Sequence, residues 1–452
     1  MSRILQFFER LHSYAALPCM QEPDSAVPHT YSELVEAAQV WRVRFGEFNL
    51  GPDATVGLRS DYSLTAVGAL LGLLLSRAHV ALIPRDNNIE QYLADACVTD
   101  LLEVDLDSKY RRRSLDPRPR HPLLSRVNAE ADSGIVLFTS GSTGRPKAAL
   151  HSVERILHKF DKPGRRLRTL AFLRFDHVAG IDTLFYTLAN GGTLVLTHRR
   201  DPHSILELMA KHQVEVLPSS PSFLRLLCAS GERERLSLPQ LRVITYGSEP
   251  MDASTLARLN TLFPDTQISQ KYGTTETGAP RTISRGNDSL WLKIVGAETK
   301  VVDAVLWIRS VSSILGYLNA PAPFDAEGWY CTGDLVDVDG EWIRFRGRTA
   351  ELINVGGEKV APTEVEQAIL ELDFVRDVLV AGCPHSLLGQ IVTAQVVLSR
   401  DDIQPPEAAK RIRTHCRARL APYKVPIEIR FVSGGFVNDR QKIQRRAASD
   451  DT

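Results

Sequence analysis

Residues 139–147 read Thr139-Ser140-Gly141-Ser142-Thr143-Gly144-Arg145-Pro146-Lys147 and follow directly on an apolar run. Small hydroxyl residues and glycines let backbone N–H groups approach an anion closely, and a lysine adds a point charge, which is the recipe for cradling phosphate. Thr139, Ser140, Gly141, Ser142, Thr143, Gly144 and Lys147 are therefore candidate phosphate ligands. The loop is not of the Walker type, which needs four residues between its glycines and a Gly-Lys-Ser/Thr end. Here two residues separate Gly141 from Gly144, and Pro146 precedes the lysine. A flexible Ser/Gly linker would explain neither the apolar strand that feeds the loop nor the lysine that closes it.

Such a loop needs a sheet edge to hold it, and the flanking sequence supplies one. Thr30 with Glu33 makes a capping box, after which Leu34, Ala37, Ala38, Trp41 and Phe45 recur at helical spacing. Strand patterns over 55–58 and 80–83 enclose a Leu-rich helix over 64–75, a βαβ arrangement. Further strands are expected at 134–139, 169–172, 192–196, 214–217 and 243–246, with helices at 153–160, 183–188, 202–212 and 222–229 between them. This alternation predicts mostly parallel sheet covered on both faces, with ligands beyond the carboxyl ends of the strands. The arginine-rich stretch 109–121 reads as a solvated linker. Strands over 335–338 and 342–346 form a hairpin around Asp339-Gly340, a pair that tolerates a type I′ turn. A boundary is expected at 348–351. Beyond it come a helix over 362–372, strands over 375–382 and 391–398, and a helix over 406–420. The fold class is thus α/β, a large N-terminal domain (1–347) of mostly parallel sheets plus a small α+β C-terminal domain (348–452).

The 452 residues are enough for about three packing units. A hydrophobic fraction of 43% excludes wholesale disorder. Lysine plus arginine (54) balances aspartate plus glutamate (54), so no global field draws the chain to nucleic acid or anionic lipid. The six cysteines are scattered without C-x-x-C spacing, which argues against a disulfide framework or zinc site. The N-terminus lacks a secretory pattern, and the longest apolar run, 66–75, is too short to span a membrane. A cytoplasmic location is the expectation.

From about Thr30 to Arg446 the chain resembles the acyl-adenylate-forming superfamily of acyl- and aryl-CoA synthetases, peptide-synthetase adenylation domains and beetle luciferases. The loop 139–147 matches its phosphate signature, implying contact with the ATP β- and γ-phosphates. Tyr246-Gly247-Ser248-Glu249-Pro250 resembles the adenine-side turn. Tyr272-Gly273-Thr274-Thr275-Glu276 resembles the element whose threonine contacts the α-phosphate and whose glutamate binds Mg²⁺, which implies Thr275 and Glu276. Asp334 in Thr332-Gly333-Asp334 is implied to grip the ribose hydroxyls, and two vicinal hydroxyls suit a carboxylate acceptor. Arg348 is implied to reach ribose and phosphate. The segment from Ile353 to Glu366 resembles the first long motif of the mobile domain, whose Gly356 and Gly357 would line a thiol tunnel. Asn438-Asp439-Arg440-Gln441-Lys442-Ile443-Gln444-Arg445-Arg446 resembles the terminal motif and makes Lys442 the adenylation lysine.

The resemblance implies activation of a carboxylic acid, fatty or aryl, with ATP and Mg²⁺, then transfer of the acyl group to CoA. Delivery to a carrier-protein phosphopantetheine or to an amine is the nearest alternative. An inactive nucleotide sensor or scaffold is remote, given Lys147, Glu276, Asp334, Arg348 and Lys442 together. His177 falls at the ring position that gates the substrate carboxylate. Val178 stands where an amine-pairing aspartate would be, so an acid without an α-amine is expected, packed near His177, Val178, Gly180, Ser219, Phe223, Gly247 and Gly278. Three departures are plain: Ala350 at the domain pivot, Gln441 before the lysine, and a compressed interval 279–327. The particular acid, the pathway and the oligomeric state are not written in these motifs. Replacing Lys442 by alanine is expected to cut acid-dependent ATP–pyrophosphate exchange sharply while nucleotide binding, measured by calorimetry, stays largely intact.

Overall fold

A computed structural model describes residues 2–86, 89–105, 107–116, 118–139, 145–400, 402–433 and 436. The candidates Ser140, Gly141, Ser142, Thr143, Gly144 and Lys442 lie outside the described residues, as does the terminal motif 438–446.

Two sheets of seven strands carry the N-terminal part among the described residues. In the first, Gln267–Gln270, Val243–Tyr246, Val216–Ser219, Arg168–Leu170, Thr193–Val195 and Pro18–Gln21 run parallel, and His29–Thr30 closes the edge antiparallel. In the second, Asp100–Val104, Thr55–Arg59, His79–Leu82 and Gly134–Thr139 are parallel. Helix Tyr31–Glu47 opens on the expected box, with Thr30 accepting from the Glu33 N–H and Glu33 accepting from the Thr30 N–H at 2.6 Å. Helix Leu64–Leu75, capped by Ser63, is apolar all round and correspondingly buried all round. Its side chains share one core with Met20 and Leu194 of the first sheet and Val56, Val80 and Ile135 of the second. Each leucine so buried contributes about 1.5–3 kcal/mol.

Several elements differ from the sequence expectation. The arginine-rich stretch is an edge strand, Tyr110–Ser114, antiparallel to Asp100–Val104. Its charges find partners that periodicity cannot reveal: Arg112 pairs with buried Asp100 at 2.7 Å and lies over the Phe48 ring, and Arg113 pairs with Glu90. Exposed charge also protects an edge from further pairing. The chain beyond the phosphate loop returns as strand Lys147–Ser152, antiparallel to Gly134–Thr139, so the second sheet has antiparallel pairs at both edges. Helix Val178–Ala189 starts a full turn before the expected 183. The hairpin corner is Gly340-Glu341, with only Gly340 (φ +59°) left-handed, which corrects the type I′ expectation, since that turn needs both corner residues at positive φ.

A third, antiparallel sheet of six strands includes Val305–Arg309, Tyr330–Asp339 and Trp342–Arg348. The single turn Thr349–Glu351, which contains Ala350, leads into the remaining strands from Ile353–Val355 to Glu428–Phe431, which form their own five-stranded sheet and core. That unit docks on helix Pro221–Ser230, where Arg225 donates to Asp377 at 2.7 Å and faces Asp252 at 3.5 Å.

Two histidines inside the second sheet are held neutral. Fully buried His79 accepts the Gly134 N–H at Nδ1 and has Arg120 beside Nε2; burial first, then Arg120, pushes it down to about 4. Burial alone pushes His151 down to about 4. The native state then refuses protons that the unfolded chain takes up near pH 6.5, so stability is complete above that value and is lost as pH falls toward 4. Each histidine accounts for roughly 3 kcal/mol over that window. Urea unfolding followed from about pH 7 to 4.5 is expected to show this decline, with a shallower slope for His151→Leu.

Candidate active site

Register brings Thr139 opposite Lys147 at the mouth of the hairpin, so the two described ends of the phosphate loop are cross-strand neighbours. Asn319 clamps the returning end: its Nδ2 donates to the Pro146 carbonyl at 2.8 Å and its Oδ1 accepts the Ala148 N–H at 2.9 Å. Strand Gly316–Tyr317 pairs with the same returning strand. Tyr317 thereby places its ring beneath the Lys147 ammonium, 5.1 Å from Nζ to the centroid, and donates its hydroxyl to Glu276 Oε1 at 2.6 Å. Burial, and then the Glu276 charge, push the Tyr317 hydroxyl far above its ordinary value. It is therefore a fixed donor to a buried carboxylate.

A second cluster surrounds Asp334, which is 6% exposed. It accepts from Arg348 Nε at 2.9 Å and from the Tyr272 hydroxyl at 2.6 Å. The arginine is its cross-strand partner, and the Tyr272 ring stacks on Phe345 at 4.6 Å. Tyr330 joins the two clusters. Burial and the neighbouring Glu276 raise its hydroxyl, while Arg348 and Asp334 act on it from the other side. The pairs expected at the phosphate end (Lys147, Glu276) and at the ribose end (Asp334, Arg348) thus share one neighbourhood.

The turn after strand Val243–Tyr246 holds Ser248 at φ +72°, and Glu249 accepts from the Ser222 hydroxyl at 2.5 Å before Pro250. Gly247 is needed where it is, since a Cβ there would stand 2.7 Å from the Lys271 carbonyl. Gly273 and Thr274 form a tight bend onto Gly278, with Thr274 and Thr277 bonded to each other and Thr275 half-buried between them.

On the expected acid side, His177 is the N-cap residue of helix Val178–Ala189. Val178 and Gly278 line a cavity of about 20 Å³ together with His151, Lys159, Asp182 and Ser312. Gly180 faces the Arg174 carbonyl too closely for any side chain. Ser219 is buried with its hydroxyl unpartnered. Phe223 is fully buried and packs against Phe172 at 4.5 Å. Gly356 and Gly357, both at positive φ, make the exposed tip of a hairpin in the C-terminal sheet.

Sequence reasoning missed Tyr317 and Asn319, which lie in the compressed interval and carry no spacing signal. It also missed His151 and Lys271, although His151 is four residues past Lys147 and Lys271 immediately precedes Tyr272.

Residues 7–318 match the model of the AMP-binding enzyme family, and residues 364–437 match that of the AMP-binding enzyme C-terminal domain. A protein named acyl-CoA synthetase 7, from Caenorhabditis elegans, is 29% identical over 357 residues, covering 71% of this chain and 66% of the relative. The alignments span 65–66% of the first curated relatives' own length, just under two thirds. Among solved structures, an anthranilate CoA ligase with bound anthranoyl-AMP superposes with a TM-score of 0.84 at 20% identity, covering 98% of this chain and 96% of that one. The amide bond synthetase McbA from Marinactinospora thermotolerans does so with a TM-score of 0.80 at 20% identity, covering 98% of each. At such identity these structures establish the shared fold.

Tyr317→Phe removes the donor to buried Glu276 and is expected to cost about 1–3 kcal/mol in urea unfolding. Calorimetry should show weakened binding of Mg·ATP to the same variant.

Proposed function

Because the chain belongs to the AMP-binding enzyme family, we propose that it is an AMP-forming ligase. On this reading it joins a carboxylic acid to ATP as an acyl-adenylate and then passes the acyl group to the thiol of CoA. The observation that supports the proposal is Tyr330, which is influenced by Glu276 on one hand and by Arg348 and Asp334 on the other, so that the residues expected at the phosphate end and at the ribose end are neighbours.

The chemical difficulty is charge. A carboxylate approaching the α-phosphate is repelled, and negative charge grows on the bridging oxygen as pyrophosphate leaves, so positioning and fixed cations carry most of the rate. Asp334 would accept both ribose hydroxyls, with Tyr272 and Arg348 keeping its oxygens oriented. Lys147, held above Tyr317, would face the departing phosphates, and Thr275 would donate to the α-phosphate. Glu276 is the residue that would hold Mg²⁺, since a buried oxygen donor suits a hard cation that shares its shell with substrate phosphates, and the ion would neutralise phosphate charge. Lys442 would bridge the substrate carboxylate and the α-phosphate. His177, at the head of its helix, would stand at the carboxylate entrance. An acyl-adenylate hydrolyses in water, so the C-terminal unit would need to cover the cleft before a thiol enters past Gly356 and Gly357.

Incubating the protein with a panel of fatty and aryl acids, ATP, Mg²⁺ and CoA is expected to give AMP and an acyl-CoA identifiable by mass spectrometry. Acyl-AMP without thioester would redirect the second step to a carrier protein or an amine. No AMP with any acid would remove the ligase reading.

A further inference from the structure

Behind Val178 lies a small cavity of about 20 Å³ whose walls are mostly apolar, with His151, Lys159, Asp182 and Ser312 as the polar residues among them. His151 is 2% exposed, and neither ring nitrogen has a partner among the described residues. A buried polar group left unpaired is costly, so a wall histidine of this kind awaits something that hydrogen-bonds.

The charges beside it do not balance. Asp182 is taken by Lys159, which also donates to the Ala279 carbonyl at 2.7 Å. Lys271 follows strand Gln267–Gln270 at its carboxyl end, with its backbone N–H fixed to the Tyr246 carbonyl at 2.7 Å and its Cβ against Gly247. Among the described residues the Lys271 side chain makes no hydrogen bond or ion pair. The groups that reach its ammonium are Asp182, Lys159 and Arg281, and Arg281 too is without a partner among the described residues. Three cations therefore face one carboxylate, and that carboxylate is already paired. The Lys271 side chain is solvent-exposed, and the atoms packed around it, with Lys159 and Arg281, lower its ammonium, which raises the gain from meeting an anion there.

We propose that the acid accepted by this cleft is compact and carries a second anionic group, as in a dicarboxylic acid, seated on Lys271 beside Arg281, with His151 bonding a polar atom of the acid body. This assignment rests on the adenylation reading and narrows it. The distal anion converts an unpaired lysine into a charge-assisted contact, and a monoacid of equal length leaves that lysine unsatisfied. Specificity built this way rejects the analogue lacking the group more strongly than a missing methylene would.

The test is ATP–pyrophosphate exchange by the full chain over matched pairs: butyrate with succinate, hexanoate with adipate, benzoate with isophthalate. In at least one pair the diacid is expected to lead by about ten-fold or more in kcat/KM. Lys271→Met should erase that lead by bringing the diacid down to the monoacid, while Lys271→Arg should retain it. Monoacids equal to or better than diacids in every pair would overturn the proposal and leave the ligase reading intact. A Lys271→Met variant that loses both members alike would also overturn it, placing that charge on the nucleotide. Calorimetry with sulfamoyl-adenosine mimics of each acyl-adenylate needs no turnover and decides the matter separately. Tighter binding of the diacid mimics, lost in Lys271→Met, supports the pocket assignment even if no acid supports exchange, and equal binding overturns it.

Discussion

The Tyr317 hydroxyl bonded to Glu276, with the Lys147 ammonium above the same ring, is the contact on which the site depends. It joins three stretches far apart in the chain: the strand after the phosphate loop, the bend at Thr274 to Gly278, and the short strand Gly316–Tyr317. A buried carboxylate needs a donor, and a lysine proposed to meet phosphate must not collapse onto that carboxylate. One tyrosine meets both needs, by giving a proton to the acid and a π face to the cation.

The larger architecture keeps this contact in register. Antiparallel pairing of Gly134–Thr139 with Lys147–Ser152 returns the chain to the mouth of the loop, and Asn319 locks the returning strand by bonding the backbone on both sides of Lys147. Below the loop, the all-apolar helix Leu64–Leu75 fills the space between two sheets, so the strand ends that present the site are set by a close-packed core. The third sheet adds Asp334 and Arg348 as cross-strand neighbours, a pairing that β geometry fixes without reliance on loop conformation. The C-terminal unit has its own core and meets the rest through few polar contacts, of which Arg225 with Asp377 is the most buried.

Much of this was legible from the chain. The capping box at Thr30, the apolar runs of the parallel strands, and the order of the Gly- and Thr-rich motifs depend on local backbone preference and on burial of one face, both of which are written residue by residue. Lys147 stood out from the residue types of its loop, while Glu276, Asp334 and Arg348 were singled out through the family resemblance. Less local features were not legible. The arginines of Tyr110–Ser114 looked like a solvated linker, because the carboxylates that neutralise two of them, Asp100 and Glu90, lie on other elements. The packing of Phe223 against Phe172 was not legible either, because the two residues lie on different elements.

Sequence alone determined the α/β class, the family resemblance and which side chains could do chemistry, because those follow from composition, period and the chemical nature of each residue. Only the tertiary structure decided which of those groups meet: that Tyr317 bridges lysine and glutamate, that Lys159 consumes Asp182, and that the buried His151 ring and the Lys271 side chain have no partner among the described residues. Pairing between charges and hydrogen-bonding groups depends on distance in space, and distance is set by how sheets and helices pack rather than by separation along the chain.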